Sequence, residues 1–318
     1  MPSLPISVLI PTMNRPLALE RTLRTYLEAD CVPAQIVIVD QTTDKEMRAR
    51  ISELAQSTSE TEITYVFQDM PSTTLSRNKA IDLATQDILI FSDDDVDVAN
   101  DTLRSVYDLM ENGNIAMVAG MSGNEGAKSS SGYLFGTKSF RKRKIGHVTR
   151  SMLGRFPQQA VVGEVNTEWA MGFFFAVRKS LLEKWGICWD ENLTGYAYGE
   201  DLDFSYRYYK KAKESGLRCV FSDRVQVLHR VSTEYRTPSR KATFLYVVNR
   251  LYFSHKLHMG PGSRLWMKWT NFSMSMLRML RKENTKDMRD ARRFARAHRA
   301  LIKAGNMHAL YDLMQKEI

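Results

Sequence analysis

Hydrophobic and polar positions in the first 120 residues follow a repeating order of short apolar runs and longer amphipathic segments. Five apolar runs are typical of strands buried on both faces: residues 6–10, 35–40, 63–67, 88–91 and 115–120. Four segments have the pattern of helices: residues 17–27, 44–56, a stretch around 76–81, and 100–111. Strands that alternate with helices predict an α/β fold with a mainly parallel central sheet covered on both faces.

The middle of the chain is less regular. Residues 121–155 are rich in serine and glycine and include a basic run at 141–144, which predicts a mobile loop. It is either a solvated surface segment or a flap whose cations meet phosphate or an anionic acceptor. After it, the pattern predicts a core strand at 169–177, a short helix at 178–185, a helix from Glu200 to about 215, and a strand at 225–229.

The last part of the chain has a helical pattern at residues 244–255, 264–282 and 286–303. In the second segment one face carries Leu265, Trp269, Phe272, Met276 and Met279, and another carries Arg264, Lys268, Arg278 and Lys282. Such a helix suits an anionic membrane surface. Packing against the main domain or against a second subunit is the alternative.

The composition is that of an ordinary soluble globular protein, with 43% hydrophobic and 25% charged residues in a chain of 318. We expect a main domain at residues 1–235, made of halves at 1–120 and 156–235, and a basic helical extension at 236–318. The three cysteines lack metal-ligand spacing, and no signal peptide or membrane span is predicted, so we expect a cytoplasmic protein. The net charge of +9 indicates anionic partners, which include nucleotide phosphates, a lipid surface and nucleic acid.

Three consecutive carboxylates, Asp93, Asp94 and Asp95, follow the apolar run at 88–91. Adjacent carboxylates repel each other unless a cation lies among them. Their oxygens suit Mg²⁺ or Mn²⁺, and such an ion usually completes its coordination with substrate phosphate. The alternative is a solvated acidic turn that caps the next helix.

In sheets of this kind, ligands bind beyond the carboxyl ends of the strands. That rule brings Thr12, Asp40 and the three aspartates to one edge. The helix that opens at Glu200 begins with a further pair of carboxylates, Glu200 and Asp201, for which the helix dipole offers a capping explanation. Asp203 should face elsewhere, because two residues along a helix turn the side chain by roughly 200°.

Taken together, these segments resemble the inverting family 2 nucleotide-sugar glycosyltransferases, which have the glycosyltransferase A fold with a Rossmann-like sheet. The matching pieces are residues 7–15, 39–40, 76–80, 92–95, 173–178, 199–204 and His229. The resemblance implies an Asp-x-Asp metal motif at Asp93 and Asp95 and a general base in the pair Glu200 and Asp201. Asp201 suits the base, and Asp95 suits the direct metal ligand, with Asp93 on the ribose or a metal-bound water.

The same resemblance implies the remaining site residues. Donor contacts are expected from Pro11, Thr12, Asn14, Arg15, Asp40, Arg77, Asp93 and Asp94. His229 is the candidate third metal ligand, and Trp169 and Gly172 are the candidate acceptor contacts. Three alternatives stay open: a packed or hydrogen-bonded His229, a surface salt bridge for Arg77, and a buried Trp169.

The leading hypothesis is an enzyme of polysaccharide synthesis that uses Mn²⁺ or Mg²⁺ and a uridine diphosphate sugar, with thymidine or guanosine diphosphate sugars also open. Its acceptor would be a glycan or a lipid-linked saccharide, and the enzyme would lie in the cytoplasm or on the inner face of the membrane, with a homo-oligomer as a further option. A nucleic-acid binder is the second hypothesis, but the acidic cleft would repel a phosphate backbone. A catalytically silent glycan-binding scaffold is the third, and intact Asp95 and Asp201 argue against it.

Overall fold

The computed structural model describes residues 1–56, 60–122, 146–155, 161–195, 197–230 and 237–318. Its first part contains six strands: β1 Ser3–Thr12, β2 Val32–Asp40, β3 Glu62–Phe67, β4 Ile88–Ser92, β5 Val96–Val98 and β6 Ile115–Ser122. Four helices connect them: α1 Pro16–Leu27, α2 Lys45–Ala55, α3 Thr73–Leu83 and α4 Thr102–Glu111. The alternation of strands and helices predicted from the sequence is confirmed here.

Local sequence explains where these helices begin. Pro16 starts α1, where its missing N–H costs no hydrogen bond. Asp44 precedes α2 and accepts a hydrogen bond from the Met47 backbone N–H. Ser72 does the same for α3 by accepting from the Leu75 N–H.

The second part adds strands β7 Glu164–Asn166, β8 Phe174–Arg178 and β9 Arg218–His229, and helices α5 Lys179–Trp185 and α6 Glu200–Glu214. Five helices follow: α7 Ser239–Lys256, α8 Gly260–Leu280, α9 Lys286–Ala297, α10 Arg299–Ala304 and α11 Met307–Glu317. None of the described helices is long and apolar enough to cross a bilayer.

The described strands form one sheet in the order β3-β2-β1-β4-β8-β6-β9-β5, and β7 also pairs with β9. Strands β3, β2, β1 and β4 run parallel, as do β6 and β9. Strand β8 lies antiparallel between β4 and β6, and β5 and β7 are antiparallel to β9. The sheet is therefore mostly parallel, as predicted, and its antiparallel strands all lie in or beside the half that follows β4.

Both faces of the sheet are buried, which explains the continuous apolar runs. In β1, Val8 and Ile10 belong to one apolar cluster and Leu9 to another. The first cluster continues into α7, α9 and α11, where Phe244, Phe294 and others pack with residues of the strands. The C-terminal helices thus share a core with the sheet.

Several predicted boundaries were wrong. The strand expected at 169–177 begins only at Phe174, because Thr167 and Ser205 bind the backbone of Trp169 and Ala170 in an irregular segment. The strand expected at 225–229 begins at Arg218. The helix expected at 286–303 is interrupted at His298. Strands β5 and β7 and helix α11 were not predicted.

The predicted loop at 121–155 is described at its two ends. Val148 and Gly154 form an isolated antiparallel bridge, and Met152 and Leu153 are buried. The guanidinium of Arg250 in α7 donates two hydrogen bonds to the Ser151 carbonyl, so residues 146–155 are packed on the C-terminal helices. The basic run at 141–144 lies outside the described residues.

Candidate active site

Three consecutive carboxylates extend from the carboxyl end of the central strand β4. The Asp93 backbone N–H donates to the Phe173 carbonyl at 2.9 Å, which ties this end to the segment before β8. Thr22 of α1 donates its hydroxyl to the carbonyls of Asp94 and Val96 and accepts from the Val96 N–H. These bonds fix the backbone, and Asp94 points in a different direction from its neighbours Asp93 and Asp95.

Asp93, Asp95 and His229 come together, with one candidate ligand atom from each lying within 4.8 Å of the others. The register of the sheet explains the approach, because β5 pairs antiparallel with β9 and places Val96 opposite His229. His229 Nε2 lies 3.3 Å from Asp95 Oδ1. Phe173 stacks on the imidazole at 5.0 Å with an interplanar angle of 11°, which fixes the ring.

This donor set fits a divalent metal ion. Two carboxylates and one imidazole supply oxygen and nitrogen ligands, and a metal held by few protein ligands keeps positions for phosphate. Carboxylate oxygens suit Mg²⁺ and Mn²⁺, and imidazole nitrogen is a ligand of transition-metal ions.

Asp94 points away from that cluster toward the end of β1. Its Oδ2 accepts from the Thr12 hydroxyl at 2.7 Å, and its Oδ1 accepts from Arg15 Nη1 at 3.1 Å. Burial raises the pKa of Asp94 to about 7, although Arg15 and Thr12 act in the opposite direction. Asp94 therefore orders Thr12 and Arg15, and its predicted direct contact with the donor is not open in this structure.

Arg77 occupies the centre of the site. One terminal nitrogen, Nη2, donates to Asp93 Oδ1 and to the Gly172 carbonyl, each at 3.0 Å. The other, Nη1, lies 3.4 Å from Glu200 Oε1. Only 1% of Arg77 is exposed, so the alternative of a surface salt bridge is wrong.

Trp189 supports Arg77 and was missed by the sequence analysis. The Arg77 guanidinium lies 4.4 Å from the centroid of the Trp189 ring, and Phe204 of α6 is stacked on this ring at 4.2 Å. Asn78 binds both the N–H and the carbonyl of Trp189. No local signal in the sequence marks Trp189, because its partners lie far away along the chain.

The pair Glu200 and Asp201 opens helix α6 after Gly199, which has a left-handed φ of 79°. Asp201 Oδ2 accepts from the Gly172 N–H at 2.9 Å, and Oδ1 accepts from the Leu202 N–H at 2.7 Å. Burial raises the pKa of both carboxyls, and for Glu200 the neighbouring Asp201 adds to the rise. A carboxylate that loses its proton only at higher pH is suited to act as a general base.

Gly172 allows this arrangement because it has no side chain. A Cβ at this position would lie 3.2 Å from Arg77 Nη2 and 3.3 Å from the Asp201 Cβ. Its carbonyl and its N–H meanwhile bind these same two residues. Gly172 thus lies between the metal-ligand side and the base side of the site.

Asp203 faces the opposite side of α6, as the helical rotation predicted. It is fully buried and accepts from Arg207 and from Lys256 of α7. Lys256 Nζ also donates to Asp190 Oδ2 at 2.7 Å.

The remaining predicted residues lie at the same edge but are less accessible. Asp40 is fully buried and accepts from the Thr42 N–H and the Tyr65 hydroxyl. Pro11 is buried in β1, and Asn14, with a positive φ of 57°, donates its N–H to Thr42. Trp169 is 4% exposed and packs on Gly154, so its ring belongs to the core and is not open to a sugar in this structure.

Comparisons with known proteins agree with this geometry. The family model described as glycosyl transferase family 2 matches residues 7–186. No protein of curated function matches the sequence.

Solved structures with a similar fold include the mannosyltransferase PcManGT from Pyrobaculum calidifontis in complex with GDP-Man and Mn²⁺, at 16% identity and a TM-score of 0.57, covering 98% of this chain and 82% of that one. GalNAc-T7 with UDP, GalNAc and Mn²⁺ is similar at 18% identity and a TM-score of 0.57, over 84% of this chain and 54% of that one. S. aureus TarS 1-349 is 14% identical with a TM-score of 0.50, over 98% and 92%. At such identities the likeness supports the fold, and the predicted glycosyltransferase A fold is confirmed.

Proposed function

The chain belongs to glycosyl transferase family 2, and from this premise we propose that it is an inverting, metal-dependent enzyme that transfers a sugar from a nucleoside-diphosphate sugar. The proposed donor is a uridine diphosphate sugar, and the proposed acceptor is a glycan or a lipid-linked saccharide. One observation carries the proposal: Arg77 binds Asp93 on the metal-ligand side and Glu200 on the base side. The residues proposed for the two requirements of sugar transfer, a stabilised leaving group and a base, therefore lie in one site.

Asp93, Asp95 and His229 would hold the metal ion. When bound, a divalent ion neutralises the negative charge that develops on the leaving diphosphate. Asp95 is the proposed direct ligand, since its carboxylate lies against His229 and is almost buried. Arg77 fixes the orientation of Asp93.

Asp201 is the proposed general base. It would take the proton from the acceptor hydroxyl as the oxygen attacks the anomeric carbon from the face opposite the diphosphate, so the product would have inverted configuration. The N–H groups of Gly172 and Leu202 hold its carboxylate in place. Glu200, which has Arg77 beside it, is the alternative base.

The donor nucleoside would lie at the ends of β1 and β2. Thr12 and Arg15 are held there by Asp94, and Asn14 is held by Thr42. Arg15 also lies 3.6 Å from Asp95, so its cation is close to the proposed position of the diphosphate. In this proposal Asp40 orders Thr42 and Tyr65. It is buried and does not contact the nucleobase of the donor directly.

The experiment that tests the proposal is a panel of nucleotide sugars with Mn²⁺ or Mg²⁺, scored by thermal shift and then by transfer to saccharide acceptors. We expect stabilisation and transfer with one class of nucleotide sugar, and NMR of the product should show an inverted anomeric centre. Retained configuration would overturn the single-displacement mechanism. Metal-independent affinity for nucleic acid without sugar transfer would favour a nucleic-acid binder instead.

A further inference from the structure

Helix α8 differs from an ordinary surface helix, because buried polar residues lie on its inward face beside the core residue Met267. Thr270 and Asn271 are buried and accept hydrogen bonds from the guanidinium of Arg250 at 3.0 and 2.8 Å. Ser263 is also buried and donates to the Arg150 carbonyl at 2.6 Å. A surface helix normally turns its apolar stripe to the core and its polar residues to water.

The outward face of α8 is apolar. Six exposed side chains lie within an arc of about 100° by helical rotation: Leu265, Trp269, Phe272, Met276, Met279 and Leu280. Trp269 and Leu280 are 56% and 71% exposed, and the Trp269 and Phe272 rings lie against each other with centroids 6.2 Å apart. Trp266 lies beside this arc and is exposed as well. A contiguous apolar stripe exposed to solvent on a protein surface is typical of a binding site.

The charged side chains along α8 itself are all positive. Residues 257–282 contain no aspartate or glutamate, and five cations lie among them: Arg264, Lys268, Arg278, Arg281 and Lys282. By helical rotation, Arg264 and Lys268 flank the stripe along one side of α8. Aromatic and aliphatic side chains next to lysine and arginine are the composition of helices that lie in the headgroup region of a membrane.

We propose that the outward face of α8 docks on an anionic lipid surface. The helix would lie parallel to the bilayer, with Trp269 and Phe272 among the acyl chains and Lys268 beside lipid phosphates. Its 21 residues would extend over about 31 Å of the membrane surface. The inward face of α8 stays on the protein, so the contact needs no unfolding of this helix.

Charge favours lipid over a second copy of this chain. In a symmetric contact through the stripe, the cations of one copy would face the same cations of the other. Residues 257–282 supply no carboxylate to offset that repulsion. Anionic headgroups supply the opposite charge, and each lysine or arginine near such a surface adds to the attraction.

The docking is independent of the proposed chemistry, and it is tested on the full-length protein by sedimentation with vesicles. Wild type should sediment with vesicles of phosphatidylcholine and phosphatidylglycerol at low salt and stay in solution with phosphatidylcholine alone. The double variant Trp269→Ser, Phe272→Ser should bind the anionic vesicles about tenfold more weakly, because two large aromatic groups no longer leave water. Leu313→Ser, which changes an exposed apolar residue of α11, is the matched control and should bind like wild type.

A second variant tests the role of charge. Lys268→Glu with Arg264→Glu should weaken sedimentation while leaving the apolar stripe intact, and added salt should weaken wild-type binding in the same direction. Equal binding by wild type and the aromatic double variant would overturn the proposal, as would equal binding to neutral and anionic vesicles. Light scattering tests whether a second copy of the chain binds the stripe instead. If wild type formed a dimer but did not bind vesicles, and the aromatic double variant were monomeric, the stripe would be a dimer contact and the lipid proposal would be overturned.

Discussion

The ammonium group of Lys256 lies 2.6 Å from Oδ2 of Asp203 and joins helix α7 to the first turn of helix α6. Lys256 also pairs with Asp190, which follows Trp189 and accepts the Tyr252 hydroxyl. Through these contacts one lysine from the C-terminal helices holds both the helix of the proposed base and the segment beneath Arg77. Lys256 is therefore a positioning residue that touches no reacting group.

Lys256→Met should lower the free energy of unfolding by about 3 kcal/mol, because it leaves the buried carboxylates of Asp203 and Asp190 without their shared cation. It should also lower kcat more than it raises KM for the donor, since Asp201 moves while the metal ligands do not. Denaturant unfolding and steady-state kinetics measure the two effects. Lys211→Met is the control: it removes an exposed ion pair within helix α6 and should cost less than about 0.5 kcal/mol. A donor KM that rises as much as kcat falls would contradict the positioning role.

Nucleoside diphosphate should raise the melting temperature strongly only when Mn²⁺ or Mg²⁺ is present, because the carboxylates at the end of β4 otherwise repel phosphate. Asp95→Asn and His229→Gln should each remove most of this metal dependence. Asp97→Asn is the matched control, since Asp97 pairs with Arg230 and Arg21 and is not in the ligand cluster. Equal stabilisation in a chelator for wild type and Asp95→Asn would refute the metal site.

Asp201→Asn should lower turnover by about 10²-fold or more, because the amide cannot take a proton from the acceptor. Donor and metal affinity should be retained. Asp203→Asn is the control on the opposite side of α6 and should act mainly on stability, through its contacts with Lys256 and Arg207. If Asp201→Asn had the turnover of wild type, the general base would be assigned to Glu200 instead.

The pH dependence follows from the raised pKa values of Glu200 and Asp201. Below the ordinary glutamate pKa of 4.5, Glu200 is protonated in both the folded and the unfolded protein, and its contribution to stability is fully present. That contribution is lost as pH rises through the higher folded pKa, because burial, Asp201 and Asp93 disfavour the charge more than Arg77 favours it. Turnover should rise as pH passes the raised pKa of Asp201, because the proposed base must be deprotonated.

Unfolding at a series of pH values checks this prediction. Glu200→Gln should flatten the decline of stability with pH relative to wild type. An increase in wild-type stability that Glu200→Gln abolishes would mean that the folded pKa is lowered instead.

Gly172→Ala should lower turnover about tenfold, since its methyl group would press on Arg77 and Asp201 within about 3.3 Å. The fold should survive, as circular dichroism would show. Gly262→Ala is the control: a Cβ there meets nothing within 4 Å, and alanine suits a helix better than glycine. Full activity of Gly172→Ala would mean that the close approach has no role in turnover.

The sequence predicted well what depends on neighbouring residues. The apolar run before Asp93 indicated a strand end, and helical rotation separated Asp201 from Asp203. It failed where contacts join distant segments. Trp189 lies under Arg77 because the irregular segment after α5 returns to α3, and no periodic pattern records that return.

Prediction from the sequence was also limited for very short elements and for the direction in which the apolar face of a helix points. Strand β5 has only three residues, too few for a clear alternation, yet it sets the position of His229. The apolar stripe of α8 was visible in the sequence, but the pattern alone does not tell whether such a stripe faces the core. The structure turns it outward because Arg250 binds the polar residues of the other face.

The pairing of β5 with β9 makes the metal ligands sensitive to strand alignment. Side chains alternate between the two sides of a strand, so a shift of β9 by one residue would turn His229 away from Asp95 and bring Leu228 opposite Val96. Nothing else in the cluster would have to move for the third ligand to be lost. The proposed metal site therefore depends on strand register at the edge of the sheet, and mutations that loosen β5 would weaken it without changing any of the three proposed ligands.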